Sequence, residues 1–120
     1  MAEHNELGKK GEAIAGDYLS KKGYRILHRN YRFKKGEIDL VCQFEDQLVV
    51  VEVKTRNSSY MAGPEETVTM NKQKAIIKVA NAYIDEYEID METRFDIVSV
   101  IINAGGVEIE HLEDAFYPVI

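Results

Sequence analysis

The chain divides into segments whose hydrophobic residues recur every three to four positions and segments in which they alternate or run together. The first helical spacing predicts a helix over residues 6–22, which Gly23 ends. The second predicts a helix that begins at a cap on Thr69 or Asn71 and continues to residue 87. The positions expected to face the core are Leu7, Ile14, Ala15, Tyr18 and Leu19 in the first helix and Ala75, Ile76, Val79, Ala80, Tyr83 and Ile84 in the second.

The remaining apolar segments have the composition of strands. They are residues 24–33, 37–45, 48–55, 94–102 and 107–112, with turns at 34–36, 45–47 and 103–106. Residues 56–70 contain Gly63-Pro64 and no regular pattern, which predicts a long loop. The order α-β-β-β-α-β-β over residues 1–120 predicts a single α/β domain, a mixed sheet flanked by helices with its last strand at an edge.

Charged residues interrupt the most apolar of these strands. Glu52 and Lys54 follow Leu48-Val49-Val50-Val51, a run that otherwise indicates a buried strand. A buried charge is costly unless it is paired or binds a metal ion, so a divalent cation is a strong candidate. Alternation puts Asp39 on one face of the preceding strand, and a suitable hairpin register would bring it beside Glu52. The sequence does not fix that register.

These residue types suit metal-assisted hydrolysis of a phosphodiester. Carboxylates are preferred protein ligands of Mg²⁺, which assists the attack of water and stabilises the leaving oxygen. Asp39 and Glu52 would supply hard oxygen ligands, and the carbonyl of Val53 would add a third. Lys54 would orient the water or balance the charge on the phosphorus centre. Glu12 would enter from the first helix as a further acid, directly or through water.

The same charges allow two other interpretations. Glu52 and Lys54 on a half-exposed sheet would form an ordinary ion pair, and Asp39 would pair with Arg56 or Arg94. In that network Glu52→Ala destabilises the protein by leaving Lys54 unpaired. Alternatively, the chain is a non-catalytic module that binds nucleic acid or protein, which its small size and net charge of −6 favour. Asp96 is expected to be an ion-pair partner.

The charge distribution is uneven. Residues 1–35 hold nine Lys or Arg and four Asp or Glu, a local net charge of +5, whereas residues 36–120 have a net charge of −11. This asymmetry permits a basic face on an acidic protein, although an ordinary solvated surface would give the same count. The basic residues expected to contact phosphates are Arg29, Arg32, Lys34, Lys35 and Arg56; for Arg56 an ion pair with Glu52 or Asp96 is equally compatible.

Composition excludes several other classes of protein. No apolar run approaches the roughly 20 residues of a membrane span, and the acidic, polar first residues do not resemble a signal peptide. The single cysteine, Cys42, excludes an internal disulfide and a cysteine-based zinc site, and it agrees with a reducing cytoplasm. Because Cys42 alternates with Leu40 on the face opposite Asp39, we expect it to serve in packing.

Several short blocks together resemble a known family. Asp39 followed by Glu52-x-Lys54 is similar to the Asp–Glu-x-Lys signature of the restriction-endonuclease-like nuclease superfamily, and Glu12 is similar to the helix acid of its archaeal-type Holliday-junction resolvases. Nearly the whole chain resembles the YraN-like family of uncharacterised bacterial proteins. The blocks that carry this resemblance are Gly11-Glu12, Gly23-Tyr24, Arg29-Asn30-Tyr31-Arg32, Gly36-Glu37-Ile38-Asp39-Leu40, Val51-Glu52-Val53-Lys54-Thr55-Arg56 and Arg94-Phe95-Asp96.

The resemblance implies a restriction-endonuclease-like fold, with a central mixed sheet flanked by helices and the acids at one edge. It also implies a nuclease site dependent on Mg²⁺ or Mn²⁺ at Glu12, Asp39, Glu52 and Lys54. The expected substrate is DNA in repair or recombination, and RNA stays open as an alternative. So small a nuclease has little surface beyond its active site, which suggests a homodimer or a larger protein partner for branched DNA.

Overall fold

The computed structural model describes residues 5–57 and 68–116, which form two helices and five strands. The helices are α1 (Glu6–Lys21) and α2 (Met70–Glu86), and neither is long and apolar enough to cross a membrane. The strands are β1 (Arg25–Phe33), β2 (Gly36–Phe44), β3 (Gln47–Arg56), β4 (Glu92–Asn103) and β5 (Gly106–Phe116). Both helices begin at a capping side chain, since Asn5 accepts the Gly8 N–H and Thr69 accepts the Lys72 N–H.

The five strands form one mixed sheet in the order β1-β2-β3-β4-β5. Neighbouring strands are antiparallel except β3 and β4, which run parallel and are connected through α2. Strand β3 is therefore the central strand, and β1 and β5 form the edges. This is the α/β fold and the element order that the hydrophobic pattern predicted, with the last strand at an edge.

Each helix covers one face of the sheet. The cluster on the α1 face contains Ala15, Leu19, Leu40, Cys42, Val49, Val51, Val98 and Val100. The cluster on the α2 face contains Val41, Leu48, Val50, Ile76, Val79, Tyr83, Phe95 and Ile97. Successive residues of β3 thus point to opposite faces and are buried on both, which is why this strand is continuously apolar up to Glu52. Cys42 lies in the core, as predicted.

The differences from the expected element bounds have local causes. Strand β1 begins after Tyr24, because the Tyr24 N–H bonds to the Leu19 carbonyl at the end of α1. Strand β5 continues beyond residue 112 to Phe116, which pairs with Phe95 past a bulge and stacks on its ring. The expectation that Ala75 faces the core is wrong: Ala75 is exposed beside the buried Ile76. The predicted loop at 56–70 falls mainly outside the described residues.

Gly11 allows α1 to approach β3 closely. A Cβ atom at this position would lie 1.9 Å from Oγ1 of Thr55 and 2.7 Å from its Cβ. We expect Gly11→Ala to lower the free energy of unfolding by about 1–2 kcal/mol, because overpacking outweighs the better helix propensity of alanine. Urea unfolding measures the loss. The control is Gly105→Ala in the exposed β4–β5 turn, and equal losses in both variants would contradict the close-approach argument.

Candidate active site

The β2–β3 hairpin brings two carboxylates side by side. The strands pair from Phe44 opposite Gln47 to Leu40 opposite Val51. Asp39 and Glu52 are the next residues along the two strands from the last of these pairs. They lie close enough for the charge of Glu52 to act on Asp39. The register that the sequence left open therefore has the value that brings these two acids together, and both are buried.

Asp39 is a carboxylate in an environment that disfavours its charge. Burial raises the pKa of Asp39 well above its usual value, and the neighbouring charge of Glu52 raises this pKa further. The Val53 N–H donates to Oδ2 of Asp39 at 2.8 Å and offsets only part of these effects. A cation bound beside both acids would therefore be stabilised by the charges that the protein has brought together.

Glu12 reaches the same region from α1. Its Oε1 accepts a hydrogen bond of 3.1 Å from Nδ2 of Asn30. Asn30 lies in β1 with a φ of 53°, and the β1–β2 register sets it opposite Asp39. Sequence reasoning did not single out Asn30 as a site residue. The sequence contained one indication of its role: Asn30 lies inside a predicted strand, where asparagine is unfavourable unless its side chain has a specific partner.

The acids open into a cleft of about 320 Å³. Its lining includes all four predicted catalytic residues, together with Val53, whose carbonyl is the predicted third ligand: Glu12, Asp39, Glu52, Val53 and Lys54, with Lys72. The resemblance implied acids at one edge of the sheet, and this expectation needs correction. Asp39 and Glu52 lie on the inner strands β2 and β3, because β3 has a partner strand on each side.

Lys72 is the cation in direct contact with the carboxylate pair. Its Nζ lies 2.9 Å from Oε2 of Glu52. Burial alone would lower the pKa of Lys72, but the contact with Glu52 and the nearby charge of Asp39 hold this pKa above its usual value, so the side chain is an ammonium ion. From the sequence alone, Lys72 is expected to belong to a solvated helix start. Its contact with Glu52 could not be predicted, because the position of its side chain depends on how α2 packs.

Two of the ion pairs expected in the structural alternative have different partners. Glu52 contacts Lys72 instead of Lys54. Arg94 forms a two-point contact with Asp96, with Nε 2.9 Å from Oδ1 and Nη2 2.7 Å from Oδ2, so Asp96 is an ion-pair partner as expected. Among residues 5–57 and 68–116, the Lys54 side chain forms no salt bridge or hydrogen bond, and Lys54 lines the cleft.

A second cleft, whose lining carries charges of both signs, adjoins the first. It has a volume of about 450 Å³ and is lined by Lys9, Arg29, Arg32 and Glu37, and Glu12 lines both clefts. Nη2 of Arg32 lies 3.6 Å from Oε1 of Glu37. The guanidinium of Arg29 lies over Gly16 of α1, where a Cβ atom would be 2.8 Å from Nη1. A small residue at this point of α1 thus makes room for the arginine beside the site.

The other predicted phosphate-contacting residues lie near the same end of the sheet. Lys34 and Lys35 are exposed in the turn between β1 and β2, about 10–15 Å along the strand from Asp39. Arg56 ends β3, two residues after Lys54. Lys34, Lys35 and Arg56 therefore lie at the end of the sheet where β1 and β3 end and β2 begins.

The donor atoms of the cleft fit a hard divalent cation. In the part of the chain that the structure describes, no three His, Cys, Asp or Glu side chains stand close enough together to hold a metal ion by themselves. Mg²⁺ commonly binds proteins through only one or two carboxylates and keeps several waters. Asp39 and Glu52 can supply these two carboxylates, and positive charge beside them would relieve the repulsion that raises the Asp39 pKa.

A protein-family comparison covers the whole of this site. The model of the uncharacterised protein family UPF0102 matches residues 11–100. The matched segment contains Glu12, Asp39, Glu52, Lys54 and Lys72.

Similar proteins of the same family name match over almost their entire length. The chain is 49% identical over 118 residues to a UPF0102 protein of Bacteroides thetaiotaomicron, with 98% of each chain covered. It is 49% identical over 121 residues to a UPF0102 protein of Flavobacterium johnsoniae, again with 98% of each chain covered. With a UPF0102 protein of Christiangramia forsetii it shares 45% identity over 117 residues and the same coverage.

Proposed function

Because the chain belongs to the uncharacterised protein family UPF0102, as its resemblance to the YraN-like proteins predicted, we propose its function from the residues of its cleft. We propose that it is a metal-dependent nuclease that hydrolyses phosphodiester bonds of DNA, with selectivity for branched or otherwise structured DNA in repair or recombination. One observation carries the proposal: two buried acids, Asp39 and Glu52, face each other in a cleft that also contains Lys54 and Glu12.

The charges in the cleft are distributed as hydrolysis of a phosphodiester requires. Asp39 and Glu52 would hold Mg²⁺ or Mn²⁺, which supplies Lewis-acid stabilisation of negative charge and a bound water of lowered pKa. The ammonium of Lys54 balances the charge that develops on the phosphate oxygens or orients the attacking water. Glu12, held by Asn30, orients a water molecule on the α1 side of the cleft.

A purely structural ion-pair network accounts for these residues less well. The hydrogen bond that Asp39 accepts comes from a main-chain N–H rather than from a cation. Lys72 is the contacting cation of Glu52, and Lys54 on the same strand forms no ion pair among the described residues. A buried acid whose pKa is raised, as that of Asp39 is, in a polar cleft is typical of a site whose charge balance is completed by a ligand.

The proposed path of the DNA backbone runs beside the cleft along Arg29, Arg32, Lys34, Lys35 and Arg56. Each phosphate neutralised by such a residue makes binding more sensitive to salt. A protein of this size would contact branched DNA as a homodimer or with a larger protein partner. The proposed location is the cytoplasm, where the single buried cysteine stays reduced.

A cleavage assay on a small panel of substrates tests the proposal. The panel contains single-stranded, duplex, flap and four-way-junction DNA and a matched RNA, each with Mg²⁺, Mn²⁺ or EDTA. We expect metal-dependent cutting of at least one branched DNA. Lys54→Ala should reduce the rate about 10²–10³-fold, because it removes one preorganised charge from the reaction centre.

The matched control is Lys78→Ala, which removes the same charge from an exposed position of α2 and should cut like the wild type. Cutting that Lys54→Ala leaves intact would reveal a contaminating nuclease or a wrong site. If neither metal supports cutting on any substrate, the nuclease proposal fails. Binding of the same DNA in EDTA, measured by fluorescence anisotropy, would then favour a non-catalytic binding module.

A further inference from the structure

Lys72 comes from a different element than the acids it contacts. It lies in the first turn of α2, where its main-chain N–H donates to Oγ1 of the capping residue Thr69 at 3.2 Å. From this fixed point of the backbone, its side chain extends to β3 and contacts Glu52 at 2.9 Å. The docking of α2 on the sheet therefore delivers a positive charge directly to one of the two opposed acids.

A divalent ion bound by Glu52 would compete with the Lys72 ammonium for the same carboxylate. The contacted atom is Oε2 of Glu52, an acid that is 6% exposed and has little freedom to turn toward a second ligand. A metal ion bound by Asp39 and Glu52 would lie within a few Å of the ammonium in its present position. Like charges at this distance in a partly buried site repel strongly, so both cations cannot hold these positions together.

Of the two partners in this ion pair, Lys72 is the one that can move. The side chain of Lys72 is 39% exposed, against 6% for Glu52. Lysine is a compact charge on a flexible stem, and it can return its ammonium to water while the stem stays against the protein. Glu52 is buried in the central strand, so its carboxylate has less freedom to move than the lysine.

We propose that Lys72 is a built-in counter-cation of the carboxylate pair, which a divalent metal ion must displace from Glu52 when it binds. This inference rests on the proposed metal-dependent function and adds a regulatory element to it. Without metal, Lys72 offsets the repulsion between the acids and keeps the empty site folded. When metal binds, Lys72 is released from Glu52. Because this contact must be broken, the protein binds the ion more weakly than the two acids would without Lys72.

The test is a direct titration with Mn²⁺ of the wild type, Lys72→Met and Lys74→Met, by isothermal calorimetry and by the electron paramagnetic resonance of free Mn²⁺. Lys74 is exposed in the same helix turn, so its variant carries the same change of charge away from the acids. We expect Lys72→Met to bind Mn²⁺ about tenfold more tightly than the wild type, the usual size of a coupling between two ligands. Lys74→Met should bind like the wild type.

Thermal unfolding in EDTA gives a second readout that is independent of cleavage. We expect Lys72→Met to melt about 5 °C lower than the wild type without metal, because it leaves two opposed acids without a counter-cation. Saturating Mn²⁺ should remove this difference. When Glu52→Gln is also present, Lys72→Met should no longer lower the melting temperature in EDTA. The negative charge that Lys72 neutralises is then absent.

The outcomes separate this inference from the nuclease proposal. If the wild type binds Mn²⁺ and Lys72→Met binds it equally or more weakly, the counter-cation role is wrong and the nuclease proposal stands. If Lys72→Met alone binds measurably, the displacement of Lys72 is supported strongly. If no variant binds Mn²⁺, both the metal site and the counter-cation role are wrong.

Discussion

Asp39→Asn should abolish metal-dependent cleavage and at the same time raise the thermal stability of the metal-free protein. The loss of cleavage should be at least about a hundredfold, because an amide oxygen carries no charge and binds a hard divalent ion far less well than a carboxylate does. A cleavage time course in Mn²⁺ on whichever substrate the wild type cuts measures this effect.

The gain in stability follows from the direction of the Asp39 pKa shift. Burial and the charge of Glu52 raise the pKa of Asp39 above its unfolded value of 3.8. A group shifted in this direction contributes its full stability below the unfolded pKa and loses it as the pH rises through the folded pKa. At neutral pH the wild type therefore carries an electrostatic cost that the neutral asparagine lacks. The amide oxygen can still accept the Val53 N–H.

Two further variants separate charge from hydrogen bonding. Asp39→Ala removes the acceptor of the Val53 N–H as well as the charge, so it should melt below Asp39→Asn in EDTA. Asp46→Asn makes the same chemical change in the exposed β2–β3 turn and should alter neither cleavage nor stability. A metal-free Asp39→Asn protein that melts below the wild type would mean that the Asp39 charge is stabilised in the folded state, as in an ion-pair network.

The part of the fold that could be predicted depends on local patterns. The spacing of apolar residues predicted both helices, since an element that buries one face must repeat its hydrophobic residues with its own period. Thr69 was one of two expected caps and is the one that accepts an N–H, because it precedes the first helical residue, Met70. Ala75 was misassigned because alanine is compatible with either face of a helix.

Site residues could be predicted where their local sequence is unusual, but not where they join the site through contacts between distant elements. Asp39, Glu52 and Lys54 were visible because charges within apolar strands conflict with their surroundings. Their convergence was not predictable, since it depends on a hairpin register that the sequence leaves open. Asn30 and Lys72 were missed for a related reason. Each joins the site through a contact between distant elements, α1 with β1 and α2 with β3.

A second buried charge network lies toward the other end of α1, and it supports the fold rather than the cleft. Asp96 is fully buried in β4 and accepts hydrogen bonds from Arg94, from Nε2 of His111 at 2.7 Å and from the Asp114 N–H at 3.0 Å. Nδ1 of His111 lies 3.0 Å from Nζ of Lys22, near the end of α1. The network therefore ties the edge strand β5 to β4 and to the helix.

Asp96→Asn should lower the free energy of unfolding by about 3–5 kcal/mol, the usual cost of removing one partner from a buried ion pair. The loss is large because the guanidinium of Arg94 stays in a position where its side chain is only 11% exposed. Asparagine keeps one acceptor oxygen but lacks the negative charge to which both Arg94 and His111 bind in the wild type. Urea unfolding followed by circular dichroism at neutral pH measures the difference from the wild type.

The pH dependence of that difference has a definite sign. Burial alone would raise the pKa of Asp96, but the hydrogen bonds from His111, Arg94 and the Asp114 N–H outweigh burial and hold this pKa below its usual value of 3.8. Stability from such a group is complete above the unfolded pKa and is lost as the pH falls through the folded pKa. The gap between the wild type and Asp96→Asn should therefore shrink once the pH falls below 3.8.

The neighbouring acid Glu113 supplies the matched control for this prediction. Its carboxylate lies 3.9 Å from the same Arg94 side chain, but its side chain is 53% exposed. An exposed ion pair contributes little, so Glu113→Gln should change the free energy of unfolding by less than about 0.5 kcal/mol. A loss for Asp96→Asn no larger than that of Glu113→Gln would mean that Tyr24 and Gln47, which also accept hydrogen bonds from Arg94, are sufficient to hold its charge.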